Sequence, residues 1–410
     1  MLFRSEPWRI IRTQWRVTGL VPGMIEGGGR PSGYFTGATG ASIYRGDAFG
    51  PPHEGDAFIA DCGSNLVHRK RLRTSDDGIQ LVGERPGSEQ KTEFLASTDN
   101  WFRPVQFASA PDGCLWILDM YREIIEHPWS LPPGIKKHLD LNSGNDRGRL
   151  WRIAPDHLDR AQLRSRSAGL GASRPSTEAL IGLLAHPNGW HRDTASRLLC
   201  EHPATNAIPS LRRLLGFGGP RLPASSPAST HEVLAKLHAW HVLASWSALS
   251  TPDWVDGLRA PDAALRTQVA RSLGATGPGW THSPAIKAAL IAAIPREGNA
   301  ACRLEFALLA GHLDPVERVG VLAVLFHSPS ALVRSIAIHG AGESDGRLWN
   351  KILLGHPPSP SALPWLGELA QSIGRRGAAA AVSAVISTAL TAQKSRSEEH
   401  TSELQSHLNL

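Results

Sequence analysis

The chain has 410 residues, more than one typical domain, so we expect two units that each bury their own core. Hydrophobic residues make up 41% of the sequence and charged residues 20%, which are the proportions of an ordinary globular protein. The net charge of +6 is scattered along the chain, and no apolar run approaches the roughly 20 residues that a membrane helix requires, so the composition excludes a basic tail and a membrane segment.

The two ends of the chain differ from the rest. The segment RSEEHTSELQS, residues 396–406, does not continue the helical periodicity before it and resembles the translation of a sequencing-library adapter. The segment LFRS, residues 2–5, resembles a translation of the partner adapter. We therefore expect residues 1–5 and 393–410 to be adapter-derived and the rest to be a piece of a longer gene.

Residues 6–156 have the pattern of an antiparallel sheet. Short alternating runs are separated by dipeptides that favour tight reversals, such as Asp77-Gly78 and Asp112-Gly113. Such strands, with no helical pattern between them, suit a sandwich or a β-propeller, and the segment PVQFASAPDGCLWILDM resembles the first two strands of a propeller blade. The predicted strands are residues 41–46, 56–64, 66–73, 79–84, 105–110, 114–121 and 148–154.

A linker at residues 157–174 leads to a helical region at residues 175–392. Leucine and alanine recur there at spacings of three and four, which is the period of an amphipathic helix. The predicted helices are residues 177–186, 190–199, 207–216, 233–249, 263–275, 285–294, 301–313, 331–343 and 363–374.

An arginine recurs in these helices, with small or apolar residues three and four positions after it. It occupies four positions, Arg192, Arg266, Arg303 and Arg334, which are 74, 37 and 31 residues apart. Such self-similarity indicates helix pairs that stack to cover their apolar faces, so we predict an α-solenoid of HEAT-like repeats, with a general helical bundle as the alternative. We interpret the arginine as capping or bridging adjacent repeats.

Polar side chains gather at four strand ends of the sheet region, at residues 60–70, 97–104, 119–129 and 142–149. Loops on one face of a propeller converge on its central channel, so these clusters are expected to share a pocket. Arginines there can bind an anionic cofactor while a histidine or aspartate removes a proton. The candidate pocket residues are Asn65, His68, Arg69, Asp99, Arg103, Asp119, Tyr121, Arg122, His127, Asp146 and Arg147. The alternative for each is structural, because Asp-Arg pairs often pin loops together.

No metal site is predicted. The four cysteines lie far apart and form no C-x-x-C, so neither a zinc knuckle nor an attached haem is encoded, and buried free thiols are expected.

Five segments together resemble a known family: GYFTGATG, GSNLVHRK, STDNWFRPVQFASAPDG, DMYREIIEHPWSLPPGIKKHLDL and NDRGRLWRI. They are similar to the C-terminal part of the propeller in large proteins of planctomycetes and verrucomicrobia, described as membrane-bound dehydrogenases or haem-binding proteins. That family combines a propeller like those of glucose/sorbosone dehydrogenases with HEAT repeats and a cytochrome c domain. The resemblance covers residues 6–392.

The resemblance implies the last blades of a β-propeller followed by an α-solenoid, in a periplasmic or exported protein. It also implies pyrroloquinoline quinone (PQQ) as the cofactor of the complete protein, a sugar or alcohol as substrate, and haem c in a C-terminal region that this sequence lacks. The haem motif C-x-x-C-H is absent, and related dehydrogenases take their proton-abstracting histidine from an earlier blade. No catalytic residue is therefore assigned, and the isolated fragment is expected to be inactive.

Two functions are carried forward. The first is a fragment of a quinoprotein-type dehydrogenase that oxidises a sugar or other alcohol and passes electrons to a cytochrome. The second is a non-catalytic module whose propeller and solenoid bind a polysaccharide or a protein partner. Nucleic-acid binding is not predicted, because no aromatic-basic stripe accompanies the positive charge.

Overall fold

The computed structural model describes residues 15, 18–20, 37–125, 127, 129, 131–167, 175–217, 229–355 and 363–390. The predicted change of fold class is confirmed, since antiparallel sheets near the N-terminus precede a helical region and 54% of the structure is helical. The chain divides into two compact units, Met1–Arg73 with Leu81–Ser210, and Thr74–Gln80 with Leu211–Leu410. The segments predicted to be adapter-derived lie outside the described residues.

The first sheet has the strand order β1-β2-β3-β4, and a short fifth strand pairs with β3. Its registered pairs are antiparallel, and Phe58 opposite Arg69 sets the alignment of β2 with β3. The fifth strand was not predicted, because two residues are too few to show an alternating pattern. The strands are β1 (Ala38–Ile43), β2 (Ala57–Asp61), β3 (Leu66–Thr74), β4 (Leu81–Glu84) and β5 (Leu95–Ala96).

The second sheet is an antiparallel meander of β6 (Pro104–Ser109), β7 (Leu115–Asp119) and β8 (Arg149–Ile153). The predicted reversal between β6 and β7 is present. Gly113 has a φ of +78°, which glycine adopts without a Cβ clash, and Asp112 Oδ1 accepts a hydrogen bond of 2.9 Å from the Cys114 amide. Within the described part of the chain, the strands do not close into a barrel or a propeller.

One apolar core is formed by residues of both sheets. Alternate residues of β2 and β7 point into it, as the period of two along a strand requires. Tyr44 is fully buried in this core, and its hydroxyl donates to the Gly113 carbonyl at 2.6 Å. Burial of each large side chain contributes about 1.5–3 kcal/mol, so this cluster holds the sheet region together. The cluster consists of Tyr44, Phe58, Ala60, Val67, Phe107, Leu115 and Ile117.

The nine predicted helices are present, with four additions in the helical region, one in the predicted linker and one short helix in the sheet region. They are α1 (Pro133–Lys136), α2 (Arg160–Ser167), α3 (Thr177–Leu183), α4 (Gly189–Glu201), α5 (Ile208–Leu215), α6 (Thr230–Ser245), α7 (Thr251–Leu258), α8 (Ala263–Ala275), α9 (Pro284–Ala293), α10 (Ala300–Ala310), α11 (Pro315–Phe326), α12 (Ala331–Gly340), α13 (Asp345–Gly355), α14 (Leu363–Arg376) and α15 (379–390).

The sequence analysis missed α7, α11, α13 and α15. Pro252 and Pro315 lie in the first turns of α7 and α11, where the missing N–H is not needed. In the second unit, α8, α10, α12 and α14 pack each on the next, while α7 packs on α9 and α11 on α13. Of the missed helices, α7, α11 and α13 therefore belong to a second layer of the helical packing.

Each recurrent arginine lies four residues after the N-cap of its helix and donates to the loop that precedes that helix. Arg192, for example, donates to the carbonyls of His186 and Pro187. The same contact is made by Arg318, which was missed because α11 was not predicted. The five arginines are Arg192, Arg266, Arg303, Arg318 and Arg334. They close their own loops, as the capping interpretation expects.

Two further sequence predictions bear on the fold. All four cysteines are free, and Cys62, Cys114 and Cys302 are buried. Burial raises the pKa of the Cys114 thiol to about 12, with a smaller upward effect of the neighbouring Asp112, so this thiol is a poor nucleophile. No helix among the described residues is long and apolar enough to cross a membrane.

Within the first unit, the start of α4 is bound to the turn between β6 and β7. The Asn188 amide donates to the carbonyls of Ala110 and Pro111 at 2.9 and 3.1 Å, and its Oδ1 accepts from the Trp190 amide. His191 Nε2 lies 3.0 Å from the same Pro111 carbonyl. This buried asparagine therefore caps the helix and fixes it to the sheet at once.

Replacing Asn188 by alanine should lower the free energy of unfolding by about 1–3 kcal/mol, because it removes a cap and leaves buried carbonyls unpaired. Urea denaturation followed by circular dichroism measures this loss. Asn145→Ala is the matched control, since Asn145 is exposed and should change stability by less than about 0.5 kcal/mol. Equal effects of the two substitutions would contradict the assigned role.

Candidate functional site

Three of the four polar loops meet around the side chain of Arg103. Its Nε donates to the Arg122 carbonyl at 2.7 Å, Nη1 to the Cys62 carbonyl at 3.0 Å and Nη2 to the Glu123 carbonyl at 2.5 Å. Arg103 has no exposed surface, so its guanidinium cannot reach a ligand in solution. The loops converge as expected, but Arg103 holds them together and does not line a pocket.

Asp119, at the end of β7, forms hydrogen bonds with two loops and with β8. Its Oδ1 accepts hydrogen bonds from the amides of Arg103 and Tyr121 at 2.8 and 2.9 Å, and Oδ2 accepts from Trp151 Nε1 at 2.9 Å. Only 3% of Asp119 is exposed. A carboxylate that already accepts three hydrogen bonds is a structural junction rather than a free base.

Asn65 also connects two of the polar loops. It has a φ of +59°, a conformation that asparagine tolerates better than most residues, and this ends the turn between β2 and β3. Its side-chain amide donates to the carbonyls of Asn100 and Phe102 at 3.2 and 2.6 Å. The residue is buried, so its contacts also belong to the scaffold.

His68 and Arg69, in β3, both contact carboxylates of the same unit. His68 Nδ1 lies 2.6 Å from Glu93 Oε2, and Arg69 contacts Asp56 at 3.2 Å and Glu89 at 2.6 Å. Both side chains are nearly buried. Burial raises the pKa of Asp56 above its usual value, although the Arg69 guanidinium opposes this shift. These pairs fix β3 and are not directed into open space.

The exposed surface of the loop junction carries aromatic side chains instead. The Trp101 and Tyr121 rings lie 5.2 Å apart, and the Arg149 guanidinium lies 3.7 Å from the centre of the Tyr121 ring and 5.7 Å from that of Trp151. Asp99 accompanies them, 3.4 Å from Arg149. We call Trp101, Tyr121, Arg149 and Trp151 the aromatic platform.

The backbone holds this platform in a fixed arrangement. Tyr121 has a φ of +52°, which is unusual for an aromatic residue and is often found at functional positions. Gly144, with a φ of +84°, packs so closely that a Cβ there would lie 2.3 Å from the Tyr121 carbonyl and 3.2 Å from the Trp101 ring. The loop before β8 therefore supports the platform from behind.

Three of the remaining candidates lie at the surface, and Arg122 is partly buried. His127 is exposed, and Arg147 and Asp146 face solvent with 3.6 Å between them. Arg122 is half-buried, and its Nη1 is buried without a hydrogen bond to any residue that the structure describes. The structure thus separates the candidates into a buried scaffold and an exposed rim.

Three members of the platform, Trp101, Arg149 and Trp151, were missed by the sequence analysis. Arg149 and Trp151 stand two residues apart on one strand, so they share a face, and this spacing was the available signal.

A quinone cofactor with several carboxylates requires guanidinium groups that reach into a common space. Arg69 is 5% exposed and Arg103 has no exposed surface, and both already contact protein groups. Arg69 and Arg103 are therefore not free to hold such a cofactor at this loop junction. No group of three or more histidines, cysteines or carboxylates that could hold a metal ion occurs in the described part of the chain.

Comparison with known proteins gives one result for the sheet region. The family profile described as a domain of unknown function (DUF7133) matches residues 5–157, which include all four polar loops and the platform. No curated protein and no solved structure gives a significant match. The chain is therefore similar to this domain over its sheet region, and the helical region lies outside the match.

Proposed function

We propose that the sheet region binds a neutral polysaccharide on the aromatic platform and has no catalytic base of its own. The proposal rests chiefly on Trp151. This indole is 42% exposed, yet its Nε1 is held at 2.9 Å by the buried carboxylate of Asp119. An exposed ring that cannot rotate freely loses little entropy when a ligand stacks on it, which favours binding.

The chemistry around the ring suits a sugar. One face of a pyranose carries C–H groups that stack on an indole, while its rim of hydroxyls needs hydrogen-bonding partners. Arg149 of the platform can donate hydrogen bonds to such hydroxyls, and the neighbouring Asp99 can accept them. Their opposite charges offset each other, so a neutral chain fits better than a charged one.

Affinity electrophoresis of the 410-residue chain in gels with soluble β-glucan, mannan or xylan tests the proposal. Trp151→Ala should weaken retardation by about tenfold, since it removes the stacking surface. Trp129→Ala is the matched control, because this indole is 92% exposed and outside the platform. Thermal unfolding checks that both variants fold. Lack of retardation by any glycan, or an equal loss for Trp129→Ala, would overturn the proposal.

A second candidate is the sugar or alcohol dehydrogenase that the family resemblance implies. Its support is the convergence of distant loops around Arg103, the arrangement expected of a propeller channel. Any cofactor contacts would have to come from residues other than the buried arginines. Quinone titration of a longer relative distinguishes the two, since restored alcohol oxidation supports the dehydrogenase, while glycan affinity without turnover supports the binding module.

We also propose that the two sheets are propeller blades and that the helical region consists of HEAT-like repeats. The first strands of the two sheets lie side by side, with Thr39 Oγ1 donating to the Pro104 carbonyl at 3.0 Å, as the inner strands of neighbouring propeller blades do. The two helical layers and the arginine recurring at one position support HEAT-like repeats. A periplasmic or exported location would place the platform where polysaccharides occur.

A further inference from the structure

Two stacked histidines lie where α4 meets the turn between β6 and β7, and the proposed function does not use them. The His186 and His191 ring centres are 4.3 Å apart, and the Trp190 ring packs edge-on against His191. His191 is 1% exposed, and His186 is half-buried. We call His186, Asn188, His191 and the Pro111 carbonyl the histidine joint.

The contacts of His191 determine where its proton lies. A carbonyl oxygen only accepts hydrogen bonds, so Nε2, which lies 3.0 Å from the Pro111 carbonyl, carries the ring proton. A second proton would have to bind Nδ1, which is buried and has no hydrogen-bond partner in the described part of the chain. A charged His191 would therefore bury an N–H without an acceptor, which is costly.

His186 resists protonation for a complementary reason. Its Nδ1 accepts a hydrogen bond of 3.0 Å from the Asn188 amide, so its own proton lies on Nε2. A proton on Nδ1 would point at that amide N–H and break the hydrogen bond. The side chain of the same Asn188 caps α4 and donates to the turn between β6 and β7. Charging His186 therefore disturbs the residue that fixes the helix to the sheet.

The charges nearest the two rings add to this effect. Two charged imidazoles at this separation would repel each other, and Arg192 is a further positive charge beside them. Burial is the main cause that lowers the pKa of His186, and His191 and Arg192 lower it further, while Asp47 acts in the opposite direction. Asp47 already forms an ion pair with Arg166.

A second contact of the same helix start does not involve histidine. The Gly189 amide donates to the Arg45 carbonyl at 2.7 Å, and the Arg45 guanidinium contacts Asp193 at 2.6 and 2.9 Å. Carboxylates ordinarily titrate near about pH 4 and histidines near about pH 6.5, so a change between these values reports the histidines. The charged side chains that act on the neighbouring Arg192 are Arg45, Asp47, Glu54 and Asp193.

We propose that the histidine joint is an acid-sensitive contact, which binds α4 to the sheet at neutral pH and opens as the pH falls from about 6.5 to about 5. Opening exposes both rings to water, where they take up protons that the closed joint excludes. The closed joint therefore has its full stability above about pH 6.5 and loses it below. The joint contains no residue of the aromatic platform and does not depend on sugar binding.

Hydrogen exchange of the full chain between about pH 7.5 and about pH 5 tests the proposal, with protection corrected for the pH dependence of intrinsic exchange. The Gly189 amide, which bonds across this contact to Arg45, is the probe. Its protection should fall by about tenfold per pH unit for each proton taken up on opening. The Ile117 amide, in the buried strand β7, is the internal reference and should stay protected.

Two substitutions remove the titrating groups but keep the hydrogen bonds. In His186→Asn the amide oxygen can replace Nδ1 as the acceptor, and in His191→Gln the amide nitrogen can replace Nε2 as the donor. The double variant should retain protection of Gly189 at neutral pH and lose its acid dependence, and each single variant should reduce that dependence. His157→Gln is the matched control, because His157 is exposed and outside the joint.

The proposal is overturned if protection of Gly189 in the native chain does not change over this pH range. It is also overturned if Ile117 loses protection to the same extent, since that would indicate acid unfolding of the whole sheet region. An acid dependence that persists in both single variants, or that His157→Gln abolishes, would equally exclude the histidine joint as its cause.

Discussion

An Arg103→Ala chain should lose about 4 kcal/mol or more of its free energy of unfolding. Each hydrogen bond to a charged group contributes about 1.5–3 kcal/mol, and the substitution removes the donor of three buried carbonyls at once. These carbonyls, of Cys62, Arg122 and Glu123, come from two separate loops, so their loss should loosen the whole junction. Such a loss is a large part of the typical 5–15 kcal/mol stability of a domain.

Urea denaturation measures the loss, and hydrogen exchange of the loop amides localises it. Arg147→Ala is the control: it lies in the fourth loop, its side chain is 68% exposed, and its contact with Asp146 is 3.6 Å long. An exposed pair of this kind is worth about 0–1 kcal/mol. Arg103→Lys should be intermediate, because one ammonium group cannot reach three divergent carbonyls.

Arg103→Ala and Arg147→Ala also distinguish a structural role of the loops from a role in ligand binding. If Arg103 acted as a cofactor ligand, its removal would change ligand binding and leave stability nearly intact. A loss of stability confined to Arg103→Ala supports the structural role.

Removing Arg266 should have the second largest effect, about 3–5 kcal/mol. The Glu297 side chain is only 2% exposed, so Arg266→Ala leaves a buried charge without its partner, which is far more costly than losing an exposed pair. The carbonyls of Ala260 and Pro261 lose their donor as well. Arg197→Ala, in α4, removes an ion pair whose two side chains are 60% and 46% exposed, so it should cost less than about 1 kcal/mol.

The pH dependence gives an independent check of this ion pair. The pKa of Glu297 is about 2 in the folded chain and near 4.5 when unfolded, so ionised Glu297 stabilises the fold fully above pH 4.5. That stabilisation is lost as the pH falls from 4.5 towards 2. Glu297→Gln should be less stable at neutral pH, and its urea midpoint should approach that of the native chain over this acid range. A constant difference between the two would contradict the lowered pKa.

The sheet strands were predictable because alternation of buried and exposed residues is a local signal. Each of the seven predicted runs overlaps a strand, although the ends differ by up to a few residues. The helices that carry Arg192, Arg266 and Arg334 were found because the spacing of three and four between leucines and alanines is also a local signal. In contrast, α7 and α11 were not predicted; each has a proline in its first turn, which by itself does not mark the start of a helix.

For the candidate site, the sequence showed where the polar loops lie but not which of their side chains are buried. Four polar loops could be recognised from the sequence, and their convergence followed from the expected sheet architecture. Which of their side chains turns inward could not be read, since Arg103 and Arg147 are the same residue type in similar loops, yet one is fully buried and the other is exposed. The difference depends on carbonyls of other loops that only the folded chain brings within reach.

By itself the sequence determined the order of sheet and helix, the position of the loops and the recurrence of an arginine, because each depends on residues close together in the chain. Only the tertiary structure decided that Arg103 and Asp119 hold the loops, that Trp151 is fixed at the surface, and that Arg266 pairs with the buried Glu297. These features depend on which distant groups satisfy each buried charge, and a linear pattern does not contain that information.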